Sequence, residues 1–218
     1  MQAIEKLTIL ENWITLVMCF LFLCVFLLKT TDAKLLKQQV ATIFKVPFVK
    51  LETDDTVGIL NVYQIVLFLF TIGSFSLVLA FTQSYFKDQQ TIKFSTYITL
   101  YCFVFFYFIV KWILENVLVR LFVIKNQLKF FLISKWSYLF SLAFVFYIGT
   151  ILYVYSFLNM TYLLFIVILF FLLRFIFILI TNKKLVFYKL FYFILYICAF
   201  EIAPLFILFK LVFNKTHA

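Results

Sequence analysis

The sequence predicts an all-α fold: a polytopic bundle of about six transmembrane helices, with a short amphipathic helix at the membrane interface in the first loop. Of the 218 residues, 67% are hydrophobic and 13% are charged, whereas soluble domains are about half apolar and about a quarter charged. Mean hydropathy is +1.14, and 34 residues are Phe. These values exclude a soluble globular protein, a disordered tail and a disulfide scaffold, so lipid must be the solvent for most of the chain.

The apolar residues form long runs, which favours helices over barrel strands. A spanning helix needs about 20 mostly apolar residues, whereas a barrel strand has about 10 residues of alternating polarity. None of the runs alternates, and three Gly and two Pro are too few for the turns of a barrel. We therefore predict one integral-membrane domain, residues 1–218, with spans at roughly 7–28, 57–81, 94–114, 136–158, 161–180 and 190–213.

The first predicted span starts before its apolar run, and the third predicted helix continues beyond its span. The first span begins near Leu7, because the run that starts at Trp13 is short by itself, and the chain after Leu28 has no small-residue cleavage site. We therefore predict a retained span and not a signal peptide. The third run is overlong, and its helix is predicted to continue, tilted or partly interfacial, to Ile124.

The loop at 29–56 contains the predicted amphipathic helix. Apolar residues recur with helical spacing over Lys34–Lys45, with lysine and glutamine between them, and Pro47 should end this helix. The acidic cluster Glu52, Asp54 and Asp55 is predicted to cap the next helix, with a cation site as the alternative. The segment 125–135 is predicted to be a second basic segment in a loop, anchored to lipid head groups.

Loop charge predicts the orientation. If six helices alternate, 13 of the 19 basic residues lie at one side of the membrane and five at the other, with Lys111 inside the third span. The positive-inside rule places the basic side in the cytoplasm, so both termini should lie outside. We therefore expect the net charge of +10 to attract anionic lipid head groups and not nucleic acid.

A labelling experiment tests this orientation. A cysteine that replaces Val40 should resist a membrane-impermeant thiol reagent in intact spheroplasts, because the first loop is predicted to be cytoplasmic. A cysteine that replaces Thr216 should be labelled, because the C-terminus is predicted to be outside. The opposite pattern of labelling would show that the orientation in the membrane is the inverse of the predicted one.

The inventory of reactive side chains argues against an enzyme. The four cysteines, Cys19, Cys24, Cys102 and Cys198, lie inside predicted spans without Cys-x-x-Cys spacing, and the single histidine is His217. A zinc site needs three or four converging ligands, and haem in a membrane bundle usually needs axial histidine. We therefore predict no catalytic residues, no metal and no cofactor, and interpret the cysteines as small apolar core residues.

Glu201 is the leading candidate among the ionisable residues at membrane depth. It lies about the middle of the last predicted span, and Pro204 follows three residues later. A carboxylate there must be protonated, paired or open to a water-filled cavity. Pro204 removes the backbone hydrogen bond to the carbonyl of Phe200 and weakens the helix beside the acid. A structural contact between helices and a proton or cation relay are both compatible with this pattern.

Three further charged residues are candidates. Lys111 and Glu115 have i, i+4 spacing on the third helix, so we predict that they neutralise one another and face the bundle interior or the cytoplasmic interface. Arg174 lies about 12 Å from the cytoplasmic end of its helix, and Glu201 about 24 Å along the next one. That difference in depth disfavours a direct pair, and Arg174 is predicted to extend along the helix to the interface.

Several segments resemble a known family. The segment 190–205 is similar to the pattern Phe-Tyr-x-x-Leu-Tyr-x-Cys-x-x-Glu-x-x-Pro of multi-pass membrane proteins of Bacteroidota that are described as a domain of unknown function. Asn12–Thr15 and Lys111–Glu115 are also similar to segments of that family. The resemblance implies a bacterial inner-membrane protein and supplies no activity. The richness in Phe, Ile and Lys leaves an organelle-encoded protein of the mitochondrial inner membrane as the alternative.

The predicted function is therefore that of a membrane protein without catalytic activity, a structural or accessory component of a cell-envelope complex with other membrane subunits as partners. A small ion- or proton-coupled transporter that uses Glu201 is the alternative. Transporters usually show internal repeats and broken helices, and the sequence shows one Pro-containing span and no convincing repeat.

Overall fold

The computed structural model describes residues 12–42, 62–87, 92–121, 125–156 and 159–181. Within these ranges the regular structure is entirely helical, which confirms the predicted fold class. The six helices are α1 (Asn12–Thr31), α2 (Ala33–Ala41), α3 (Val62–Phe86), α4 (Phe94–Leu121), α5 (Lys125–Tyr155) and α6 (Met160–Thr181).

Four of the described helices are long and apolar enough to cross a membrane. These candidate spans are Asn12–Thr31, Val62–Phe86, Phe94–Asn116 and Ser134–Tyr155, and Met160–Arg174 is a shorter apolar helical stretch. The sixth predicted span, 190–213, lies outside the described residues, as do Pro47 and the acidic cluster at 52–55.

The structure differs from the prediction at 125–135. This segment is the first third of α5 and not a loop, because backbone hydrogen bonding can continue a helix beyond the residues that are apolar enough for lipid. The same effect extends α4 to Leu121, close to the predicted end at Ile124. As a result α4 and α5 form a long helical hairpin.

Contacts between the helices show that α1, α3, α4, α5 and α6 alternate in direction. At one end, named here the Trp13 end, the Trp13 indole donates to the Ile92 carbonyl at 3.1 Å and packs against Phe94 and Tyr97. The start of α1 therefore lies beside the start of α4. At the other end, named the Glu115 end, the start of α5 packs against the end of α4 and the end of α6.

The central helix is α3, which packs against α1, α4 and α5. Its face toward α1 has no side chain at Gly73, which leaves room for Leu21, because a Cβ there would lie 2.7 Å from Leu21 Cδ2. The buried hydroxyls of Thr71, Ser74 and Ser76 each donate to the carbonyl four residues earlier in α3. These hydroxyls are satisfied within their own helix, as lipid requires, so α3 meets its neighbours mainly through shape and apolar packing.

Phenylalanine supplies much of that packing. The rings of Phe70 and Phe144 lie 4.7 Å apart, and those of Phe75 and Phe146 lie 5.0 Å apart, in both cases between α3 and α5. Tilted and edge-to-face aromatic pairs at such distances are favourable beyond the area that they bury. The high Phe content is therefore used inside the bundle as well as on the surface that faces lipid.

The short helix α2 begins at Asp32. Asp32 has an extended backbone (φ −155°, ψ 97°), and its carboxylate accepts hydrogen bonds from the amides of Lys34 and Leu35 at 2.9 and 3.0 Å. This N-cap satisfies amides that have no partner within the helix. A helix over Ala33–Ala41, with Thr42 as its C-cap, agrees with the start of the amphipathic helix predicted over Lys34–Lys45, and residues 43–45 lie outside the described residues.

Candidate functional site

A buried ion pair joins α4 to α5 at the Glu115 end. Lys135 Nζ donates to Glu115 Oε1 at 2.7 Å, and Trp136 Nε1 donates to Glu115 Oε2 at 2.7 Å. Both charged side chains are 2% exposed. Each carboxylate oxygen therefore accepts a hydrogen bond, and the two donors are adjacent residues of one helix.

The direction of helical side chains explains why residues 20 and 21 positions apart can meet. Side chains tilt toward the N-terminus of their own helix. In the antiparallel hairpin, Glu115 therefore leans away from the connection between α4 and α5, and Lys135 leans toward it. The two side chains converge on one level, where their contact is charge-assisted and stronger than a neutral hydrogen bond.

Lys111 lies one turn before Glu115 on α4 and is also buried. Its Nζ is 5.6 Å from the centroid of the Tyr107 ring, within the range of a cation–π contact. The structure buries both Lys111 and Glu115, which corresponds to the first of the two predicted positions, the bundle interior and the cytoplasmic interface. Glu115 is not confined to its own helix, however, because it binds Lys135 and Trp136 of α5. Whether Lys111 and Glu115 also neutralise each other remains a prediction.

Arg174 is buried against α5, with 8% of its surface exposed. Its guanidinium carbon lies 5.9 Å from the centroid of the Phe171 ring. Together with Tyr138, Leu142 and Phe177, it lines a groove between α5 and α6. The predicted extension of this side chain along its helix to the interface is therefore wrong, because Arg174 is packed between α5 and α6.

A second polar contact at the same end joins α2 to α5. Gln39 Nε2 donates to the Ser137 carbonyl at 2.7 Å and to Ser137 Oγ at 3.2 Å, and Ser141 Oγ donates to the Gln39 carbonyl. Ser137 and Ser141 are four residues apart and therefore lie on one face of α5. Lys135 and Trp136 contact α4, so α5 uses neighbouring residues to bind two different elements.

Glu201 and Pro204, the leading pair of the sequence analysis, lie outside the described residues, as does Cys198. Of the cysteines that the structure describes, Cys24 is buried, whereas Cys19 and Cys102 are exposed on the outer face of the bundle. The interpretation of the cysteines as core residues therefore holds for Cys24 and is wrong for the other two. Among the described residues, no group of three or more His, Cys, Asp or Glu side chains is placed to hold a metal ion.

Sequence reasoning missed Lys135, Trp136 and Gln39 as members of this site. Lys135 and Trp136 stand at the boundary between a polar segment and an apolar run, and we assigned Lys135 to a loop because of that boundary. A signal was present, because an acid near the end of one helix and a base near the start of the next suit an antiparallel hairpin. No comparable signal linked Gln39 to Ser137, which lies 98 residues away.

The comparisons with known proteins give a family and no activity. A family model with the description Domain of unknown function (DUF4271) matches residues 14–212. The chain has no match among curated proteins or among solved structures. The match covers all six described helices except the first residues of α1.

Proposed function

Because the chain belongs to the DUF4271 family, whose description gives no activity, we propose from its geometry that it is a non-catalytic structural or accessory component of a membrane complex in the cell envelope. We place it in the inner membrane of a bacterium of the Bacteroidota, with the mitochondrial inner membrane as the alternative. Both termini lie outside in this proposal. Its partners are other membrane-protein subunits and, at its basic loops, anionic lipid head groups.

The observation that supports this proposal most directly is the burial of Glu115 and the hydrogen bonding of both its carboxylate oxygens. A carboxylate that performs chemistry or carries ions needs access to a substrate, an ion or water. Glu115 is instead 2% exposed, and both of its oxygens accept hydrogen bonds from α5. Its arrangement supports a role in holding two helices together.

The outer faces of the bundle support the proposed protein partners. Large apolar side chains of α1, α4 and α6 are exposed, among them Phe20, Phe22, Phe106, Phe165 and Leu172. Surfaces of this kind contact lipid tails, and they also pack against apolar helices of other subunits.

Purification from native membranes tests the proposal. A tagged chain, extracted in mild detergent and separated by native electrophoresis, should migrate with a second membrane protein at a fixed stoichiometry. Glu115→Leu is the matched control, because a partner that recognises the folded bundle should be lost when the α4–α5 contact is broken. Reproducible isolation of the chain without any partner would contradict the proposal and favour transport.

The second candidate function is a small ion- or proton-coupled transporter, and the position of Glu201 beside Pro204 in a predicted span favours it. Glu201→Gln distinguishes the two functions, because Gln keeps an acceptor oxygen but has no titratable proton. If Glu201 is a structural contact, abundance and partner association should stay nearly intact in Glu201→Gln. If it is a relay, abundance should stay normal while the phenotype matches that of a deletion.

Glu201→Leu completes that test. A structural contact in lipid contributes about 1–2 kcal/mol, so its removal should lower the amount of protein in the membrane. Immunoblots of membrane fractions would measure that amount. Equal tolerance of Leu and Gln, in both abundance and phenotype, would show that Glu201 has neither role.

A further inference from the structure

The position of α2 relative to α5 sets its depth in the membrane. Gln39 of α2 binds Ser137 and Ser141 of α5, and the apolar run of α5 begins at Trp136. At 1.5 Å per residue, these serines lie roughly 2–8 Å inside the polar end of that run. Amphipathic helices that lie in the plane of a membrane bury their apolar face to about 5–10 Å. The contacts therefore hold α2 at the depth of the lipid head groups.

The two faces of α2 differ in chemistry. The inward face carries Leu36, which packs against the apolar core, Gln39, which binds α5, and the buried Thr42. The outward face carries Lys34 and Lys37, which are exposed and three residues apart, so they lie side by side. Lys29, in the last turn of α1, is also exposed.

We propose that Lys29, Lys34 and Lys37 form a binding surface for the phosphate groups of anionic phospholipids. This inference rests on the membrane function proposed above and deepens it, since it assigns the lipid contact to one element of the described structure. Three exposed lysines held at the membrane interface complement the negative charge of lipid phosphate groups. Asp32, the acidic residue within this segment, is the N-cap of α2, and its carboxylate accepts hydrogen bonds from backbone amides of that helix. The three lysines are therefore the charged groups that face the lipid head groups.

The docking of α2 makes the surface more than a basic loop. A helix that orders only on contact with lipid loses conformational entropy at that moment, whereas α2 is held by Asp32 at its start and by Gln39 near its end. Each lysine near an anionic surface contributes about 1 kcal/mol, or about fivefold in affinity. Lipid binding should in turn stabilise the folded bundle, because the lipid binds the folded state.

The experiment uses the full chain in nanodiscs of phosphatidylcholine with increasing fractions of phosphatidylglycerol. The thermal midpoint of the wild type should rise with the fraction of phosphatidylglycerol and should lose this rise at high salt, since salt screens exposed charges. Lys34→Gln/Lys37→Gln should need a fraction several times higher for the same rise. Its midpoint in pure phosphatidylcholine should equal that of the wild type, which shows that the variant is folded.

Lys87→Gln/Lys93→Gln is the matched control, because it removes the same charge at the Trp13 end of the bundle. This control should keep the wild-type response to phosphatidylglycerol. Inorganic phosphate, added to the wild type in pure phosphatidylcholine, should leave the midpoint unchanged. Equal responses of Lys34→Gln/Lys37→Gln and the wild type, or stabilisation by phosphate alone, would overturn the inference. If the wild type co-purifies with a partner subunit but Lys34→Gln/Lys37→Gln keeps the wild-type response to phosphatidylglycerol, this inference is overturned and the proposed function remains intact.

Discussion

Lys135→Leu should lower the free energy of unfolding by about 3–5 kcal/mol, the cost of removing one member of a buried ion pair. The carboxylate of Glu115 would stay buried, with the Trp136 indole still bound to one oxygen and the contact of its other oxygen with Lys135 lost. Glu115→Leu should have a loss of similar size, because it leaves the Lys135 ammonium buried without that contact. Unfolding of the purified protein in mixed detergent micelles would measure both losses.

The double variant Glu115→Leu/Lys135→Leu should recover a large part of the stability, because neither charge is then left uncompensated. The same cycle with Lys111 and Glu115 tests whether those two residues also neutralise each other. A coupling with Lys135 alone would restrict the contact to the α4–α5 hairpin. Additive losses in both cycles would show that Glu115 is not stabilised by either lysine. Lys93→Leu, at an exposed position, should have little effect.

Gly73→Leu should be the most damaging apolar substitution in α3. A Cβ at this position would lie 2.7 Å from Leu21 Cδ2 and 3.7 Å from Leu21 Cγ, and Leu21 is 1% exposed. The larger side chain would force α1 and α3 apart, at a cost of about 3 kcal/mol or more. We expect a strong fall in the amount of protein in membranes, measured by immunoblotting, and early unfolding in detergent.

Gly149 of α5 provides the matched control. A Cβ there would meet no atom within 4 Å, so Gly149→Ala should be neutral or slightly stabilising, since Ala is favoured over Gly in a helix by about 1 kcal/mol. Gly73→Ala should be less stable than Gly149→Ala. Leu21→Ala should partly rescue Gly73→Leu by making room for it. If Gly73→Leu and Gly149→Leu were equally stable, close packing of α1 on α3 would not be important.

The sequence was sufficient for the class of the fold because lipid restricts the choice of structure. A run such as Val62–Phe86 has one solution in a bilayer, a helix, and its length fixes that it can cross. The polar start of α5 is under no such restriction. The prediction starts this helix where the polar, lysine-rich segment gives way to the apolar run. The helix in fact begins earlier, at Lys125.

The candidate site was predicted in part. The burial of Glu115 followed from its place on an apolar helix, because an acid in such a helix turns toward protein and not lipid. The order of charges along an antiparallel hairpin made Lys135 a possible partner, but the choice between Lys111 and Lys135 depends on how α4 and α5 are rotated about their axes. The same limit applies to Gln39. Contacts between distant segments are set by packing, and a single sequence contains the composition of each segment but not its rotation.

The Glu115–Lys135 contact also bears on how the chain enters the membrane during synthesis. Each ionised side chain opposes transfer of its own helix into lipid, by less than the roughly 2.5–3.5 kcal/mol that applies at the centre of a helix, because both residues lie near the ends of their apolar runs. The pair lies within one hairpin, so its two charges can enter the bilayer as a neutral, hydrogen-bonded pair when α4 and α5 are released together. We therefore expect the hairpin, and not either helix alone, to be the unit of insertion, with α4 retained at the translocation machinery until α5 has been made.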